Sequence, residues 1–279
     1  MYPARPAPFD YHRAASLDEA LSLLADLDDA KALAGGHSLL PLMKVRLASP
    51  AALVDIGRIP GLAQISANGE LTIGALATHA DVAGSEVAVG ICPVIPETAR
   101  QIGDRLVRNR GTIGGSVAHA DPAADYPTVL KALGATIVVT GRDGERGISA
   151  DEFFVDVFTT ALQPGELVTS VRIPATGPGR GAAYVKHRHP ASSYAVVGVA
   201  ASVAVESGDI ADARLVVGGA TGTPVTVTGI ADPVAAEERV RDALTEPLGD
   251  VYASGEYRAH LAGVLAKRAL TTAVERAAG

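Results

Sequence analysis

Two glycine pairs constrain this chain more than any other feature: Ala34-Gly35-Gly36-His37-Ser38 and Thr112-Ile113-Gly114-Gly115-Ser116 lie 78 residues apart, and each closes on a serine. Adjacent glycines permit positive φ and let a ligand approach bare backbone. The freed amides, with a hydroxyl beside them, then donate to anionic oxygens. One glycine pair marks an ordinary turn. Two with the same grammar point to a dinucleotide diphosphate held between two loops.

The familiar nucleotide fingerprints are absent. Gly111 to Ser116 reads G-x-x-G-G-S, which is neither the Rossmann G-x-G-x-x-G nor a Walker loop with its lysine. Regular alternation of strand and helix also breaks at Asn68-Gly69, a hairpin signal between Leu62–Ser66 and Leu71–Ala75.

The 24 Lys and Arg against 31 Asp and Glu give a net charge of −7, which argues against nonspecific nucleic-acid or anionic-membrane binding, so any anion site is local. The lone cysteine, Cys92, excludes a disulfide framework, an iron–sulfur cluster or a cysteine-rich zinc site built by this chain alone. None of the seven histidines forms a helical ligand pair, so no metal site is expected, and no G-x-S-x-G elbow supports a serine hydrolase. The start lacks an apolar core before a cleavage site, which makes the cytoplasm the expected compartment. The uncharged run Pro190 to Val205 falls short of the roughly 20 residues that span a membrane.

At 279 residues the chain has room for two or three compact units. Ser16 with Glu19 is a capping box opening a helix to about Leu27, and Lys31–Ala34 reads as a strand feeding the first glycine loop. Ser38 is placed to cap a helical turn toward Val45, and Ala52–Ile56 is the next strand. Thr78 caps a short helix, and Asp121-Pro122 is read as opening a helix that carries Asp125. Ala135–Thr140 and Leu167–Ile173 are strands. A breaker cluster from Pro174 to Gly181 precedes a three-strand meander, Ala182–His187, Ala195–Glu206 and Ile210–Gly218. The last helix, capped by Ser254, is expected to bury Tyr257, Leu261, Val264 and Leu265 on one face. The fold class is therefore α+β, in units 1–57, 58–176 and 177–279.

Single charged residues have plain readings. Asp125 in a first helical turn complements the macrodipole, and Lys186 on a strand is ordinarily solvated. A cofactor hydroxyl for the first and an anionic cofactor for the second are the functional alternatives.

The segments Ala34 to Met43, Arg108 to Ser116 and Ala118 to Asp125, together with Tyr252 to Arg258 and Arg268-Ala269-Leu270, closely resemble the FAD-binding medium subunit of molybdenum hydroxylases. The carbon monoxide dehydrogenase and xanthine dehydrogenase branches share this pattern, and the resemblance spans essentially the whole chain. It implies a PCMH or vanillyl-alcohol-oxidase type of fold, with FAD between a two-part N-terminal module and a C-terminal domain that holds the three-stranded antiparallel sheet and helices. It implies that Ala32, Leu33, Ala34, Gly35, Gly36, His37, Ser38 and Leu39 wrap the diphosphate and that Thr112, Ile113, Gly114, Gly115 and Ser116 complete the cradle. Asp125 would hold a cofactor hydroxyl, Ile102 and Val168 would line the flavin or adenine site, and Lys186 would lie near the pyrimidine edge. Tyr194 resembles a tyrosine that covers one flavin face, with strand packing as its plain alternative.

The resemblance further implies an electron-transferring oxidoreductase subunit with no classical catalytic residue of its own. It would work with a molybdopterin-binding large subunit and a [2Fe-2S] small subunit as a dimer of heterotrimers. His37 stands where many relatives have glutamine. The competing readings are a self-sufficient flavin oxidase or reductase and a nonenzymatic nucleotide-binding assembly module.

Overall fold

The Ser16 side chain accepts from the Glu19 amide, and the Glu19 carboxylate reaches back to the Ala15 amide at 2.7 Å, which fixes the start of the first helix. In the computed structural model, which describes residues 5–279, this helix belongs to a small parallel unit. Its elements are β1 (Asp10–Arg13), α1 (Leu17–Asp26), β2 (Ala30–Leu33), α2 (Leu39–Lys44) and β3 (Ala52–Asp55). The strand order is β1-β3-β2, with both neighbours parallel to β3. Ala20, Leu21, Val54 and Ile56 form its core.

The middle of the chain is mixed. It runs β4 (Ile65–Ala67), β5 (Glu70–Gly74), α3 (His79–Gly84), α4 (Glu86–Ile91), α5 (Val94–Arg100), α6 (Arg105–Arg108), α7 (Ile113–His119) and α8 (Asp125–Ala132). It continues with β6 (Thr136–Gly141), β7 (Gly144–Ser149), α9 (Ala150–Phe153), β8 (Phe154–Asp156), β9 (Thr159–Thr160) and β10 (Leu167–Pro174). Five strands make a sheet in the order β4-β5-β10-β6-β7, packed on Ile95, Ile113, Tyr126 and Leu130. Gly69, at φ +73°, closes the β4–β5 hairpin that Asn68-Gly69 announces. The helix carrying Asp125 begins at Asp125 itself, not at Asp121-Pro122. Asp121 instead folds into an Asx turn by accepting from the Ala123 amide at 2.9 Å, and Pro127 occupies the first turn of α8, where an amide is dispensable.

The last unit contains β11 (Arg180–Arg188), β12 (Ala195–Glu206), β13 (Asp209–Gly218), β14 (Val225–Thr228), α10 (Pro233–Ala243) and α11 (Gly255–Ala278). The expected meander is present, and β14 adds a fourth antiparallel strand beside β13. The face of α11 turned to this sheet differs from the expected one. Tyr257 is 46% exposed, whereas Ala262, Leu265, Ala266, Ala269, Leu270 and Ala273 are buried. Small residues let the helix lie close to the strands. A β-carbon at Gly181 on β11 would overlap the Ala273 carbonyl oxygen, so the sheet matches the helix with a glycine.

Candidate functional site

Three parallel strands end side by side at Arg13, Asp55 and Leu33, and the crevice beyond their carboxyl ends is where open parallel sheets hold ligands. A cleft of about 320 Å³ opens there, lined among others by Arg13, Leu33, Gly35, Gly36, Arg58 and Arg110. Its wall is basic in an acidic chain. Arg13 is partly neutralised by Asp55 at 3.7 Å, and that carboxylate also takes the Tyr11 hydroxyl and the Gly57 amide. Arg58 and Arg110 form no ion pair among the described residues.

The two glycine loops meet at this cleft and do different work. In the first loop, no protein acceptor faces the amides of Gly35, Gly36, His37 or Ser38 among the described residues, while the Gly36 carbonyl accepts from Leu40 to start α2. Gly36 adopts φ +73°, a conformation that favours glycine. Ser38 takes the N-cap position of α2 without a side-chain cap bond, and the His37 ring bonds the Gly35 carbonyl at 3.1 Å. Four amides therefore remain for a ligand, and a buried or enclosed amide without a partner is costly.

In the second loop the amides are already bonded inside the protein. Ile113 donates to Ala77, Gly114 to Ala75, Gly115 to the Thr112 hydroxyl and Ser116 to the Thr112 carbonyl. A β-carbon at Gly114 would overlap Ala75, so this glycine permits close packing of α7 on the chain just after β5. Thr112 alone of the five lines the cleft. The loops are joined through Gly35, where a β-carbon would overlap the Arg110 carbonyl oxygen.

Behind the second loop, His79 is 5% exposed and its Nδ1 has no partner. Burial, then the positive charges of His37 and Arg108, push it down to about 4, so it is neutral at pH 7. Its Nε2 would lie 2.7 Å from a β-carbon at Gly111, and its ring packs on Tyr126 with centroids 5.5 Å apart.

Asp125 and Lys186 form a second cluster. Both side chains are almost wholly buried, 2.9 Å apart. The Tyr184 hydroxyl donates to Asp125 Oδ1 at 2.5 Å. Lys186 Nζ also donates to the carbonyls of Gln101 at 3.0 Å and Ser193 at 2.8 Å. Burial raises the Asp125 carboxyl against the opposing pull of Lys186, and burial beside Asp125 raises Tyr184 well above the usual phenol range. Asp125 thus enters the site with both oxygens engaged rather than as an open acceptor, and the three N–H groups of Lys186 all have protein partners.

The other expected contacts are spread around these clusters. Ile102 is half-buried after α5 and its carbonyl accepts from Arg108 at 2.9 Å. Val168 is buried in the core of the middle sheet, opposite Val139. Ala32 is half-buried in β2, and Leu39 opens α2. Tyr194, at the entrance to β12, is part-exposed. Burial raises its phenol, with the Ser38 side chain beside it pulling the other way, so the aromatic ring of the last unit reaches the first glycine loop. Sequence reasoning missed Arg13, Asp55, Arg58 and Tyr184. The first three follow from strand ends of a parallel sheet, which alternation of apolar residues could have aligned; Tyr184 reads as ordinary strand packing until Asp125 is found against it.

A loop with open amides, a basic wall and a backbone that tolerates no side chain at Gly35 suits the diphosphate of a dinucleotide. Comparison with known proteins agrees. The family described as FAD binding domain in molybdopterin dehydrogenase matches residues 7–176, and the CO dehydrogenase flavoprotein C-terminal domain matches 182–273. The carbon monoxide dehydrogenase medium chain of Afipia carboxidovorans is 38% identical, over 98% of this chain and 99% of that one. The 6-hydroxypseudooxynicotine dehydrogenase complex subunit alpha of Paenarthrobacter nicotinovorans is also 38% identical, over 98% of this chain and 97% of its own length. A carbon monoxide dehydrogenase structure from Hydrogenophaga pseudoflava superposes with a TM-score of 0.93 at 37% identity, covering 97% of this chain and 99% of that chain. No helix among the described residues is long and apolar enough to cross a membrane. The chain therefore belongs to the FAD-binding medium-subunit family of molybdenum hydroxylases, a family of oxidoreductase subunits.

Proposed function

We propose that this chain carries electrons through FAD in a cytoplasmic molybdenum hydroxylase complex, between a partner subunit's [2Fe-2S] clusters and an external acceptor. A molybdopterin-binding large subunit oxidises the substrate, and the assembly is a dimer of heterotrimers. The observation that carries this reading is the run of unpartnered amides from Gly35 to Ser38 at the mouth of a basic cleft. FAD, when bound, supplies the step between one-electron and two-electron transfer.

The chain's own residues bind and enclose. Amides 35–38 hold the diphosphate, with Arg58 and Arg110 balancing its charge and Thr112 facing it from the second loop. The remainder of the second loop, Ile113 to Ser116, supports Thr112 and the joint at Gly35. Ala32, Leu33, Ala34 and Leu39 shape the wall, Ile102 and Val168 stand behind the ring system, and Tyr194 covers it. Asp125 and Lys186 act as one neutralised unit at the seam between units 58–176 and 177–279. Unit 1–57 contributes the strand ends.

Purification of the tagged chain from its native host tests the reading. We expect FAD at one per chain, with molybdenum and iron co-eluting in two other polypeptides. A tagged chain that elutes alone and oxidises an organic substrate unaided overturns it.

A further inference from the structure

The ammonium of Lys186 is a hub. From β11 it reaches the end of α5 through the Gln101 carbonyl, the start of α8 through Asp125, and the loop before β12 through the Ser193 carbonyl. Those three acceptors use all three of its donors. Ser193 is the unusual partner. It sits at φ +63°, in the left-handed region, where a residue with a β-carbon is strained unless its surroundings hold it. The loop is otherwise closed by its own backbone: Ser193 donates to the His189 carbonyl at 2.9 Å, and His189 donates to the Tyr194 carbonyl at 2.7 Å. Tyr194 follows Ser193 directly and is the residue that reaches Ser38.

We propose that Lys186 is a positioning residue: by clamping the Ser193 carbonyl it holds the left-handed turn that sets the Tyr194 ring against the first glycine loop. The ammonium then acts on the bound ring system through Tyr194 and not by a hydrogen bond of its own. This inference rests on the proposed FAD site for its consequence, while the clamp itself exists without FAD.

The chain contains no tryptophan. Tyr194→Trp therefore installs a single indole reporter at the clamped position, readable in the full chain before and after FAD is added. Lys186→Met in that background is expected to shift the indole emission to the red and to raise its acrylamide quenching constant about twofold, as the strained turn relaxes. Lys131→Met is the control: that lysine is also largely buried and bonds the Pro224 carbonyl at 2.8 Å, so its loss lowers stability without moving the reporter.

Lys186→Arg retains a charge beside Asp125, but a planar guanidinium does not converge three donors on three acceptors around one point. It is expected to fold and to release the indole as Lys186→Met does. Unchanged emission and quenching in both variants overturns the clamp, as does failure of both to fold, which would make Lys186 a residue of the fold alone. A reporter that responds as expected in a chain that takes up no FAD upholds the clamp and defeats the cofactor reading instead.

Discussion

Gly35 lies against the carbonyl of Arg110, and this contact is the joint between two loops far apart in sequence. The first loop can present its amides at the cleft only while that joint stays closed. Gly35→Ala should force the loops apart, at an overpacking cost of about 1–3 kcal/mol, and so weaken FAD binding by roughly tenfold or more. Flavin titration of the purified variant measures this, with circular dichroism as the check on folding.

The buried Asp125 carboxyl has two side-chain donors, Lys186 and Tyr184. Tyr184→Phe removes one of these donors and leaves the carboxylate underbonded. The loss of a hydrogen bond to a charged group should lower unfolding stability by about 1.5–3 kcal/mol. The midpoint of urea denaturation at pH 7 reads the change.

His79 predicts an acid limb. Its folded-state value is about 4 against an ordinary 6.5, so between these values the unfolded chain binds more protons than the folded one. Its contribution is therefore complete above about pH 6.5 and is lost as pH falls toward 4, by about 3 kcal/mol at most. His79→Leu should flatten that part of the stability profile relative to the parent, measured by urea midpoints from pH 7 to pH 4.

Gly181→Ala places a methyl group on the Ala273 carbonyl oxygen, where β11 and α11 are backbone to backbone. The helix has to move off the sheet. We expect a stability loss of about 1–3 kcal/mol with little change in FAD affinity, since neither residue lines the cleft. Thermal melting alongside flavin titration separates the two effects.

Much of this architecture is legible locally. Ser16, Thr78 and Ser254 each cap the helix they were expected to cap, because the signal and the structure it forms lie within four residues. The first glycine loop behaves as its composition suggests, with Gly36 at positive φ and its amides open. What the sequence does not display is what packs on what. The second glycine pair has the same composition, but Gly114 meets Ala75, so its amides are bonded internally. The buried face of α11 is set by closeness to β11, which favours Ala262, Ala266, Ala269 and Ala273 over the larger Tyr257. Asp125 and Lys186 are 61 residues apart, and only the tertiary fold reveals them as partners.

The most direct test of the account is the FAD content of the chain with and without a side chain at Gly36. At φ +73°, with the Leu40 side chain 2.9 Å from where a β-carbon would lie, valine fits neither the backbone nor the space. The parent should hold one FAD per chain, and Gly36→Val, folded by circular dichroism, should hold none. One FAD per chain in the folded variant would contradict the claim that these amides grip the cofactor's diphosphate.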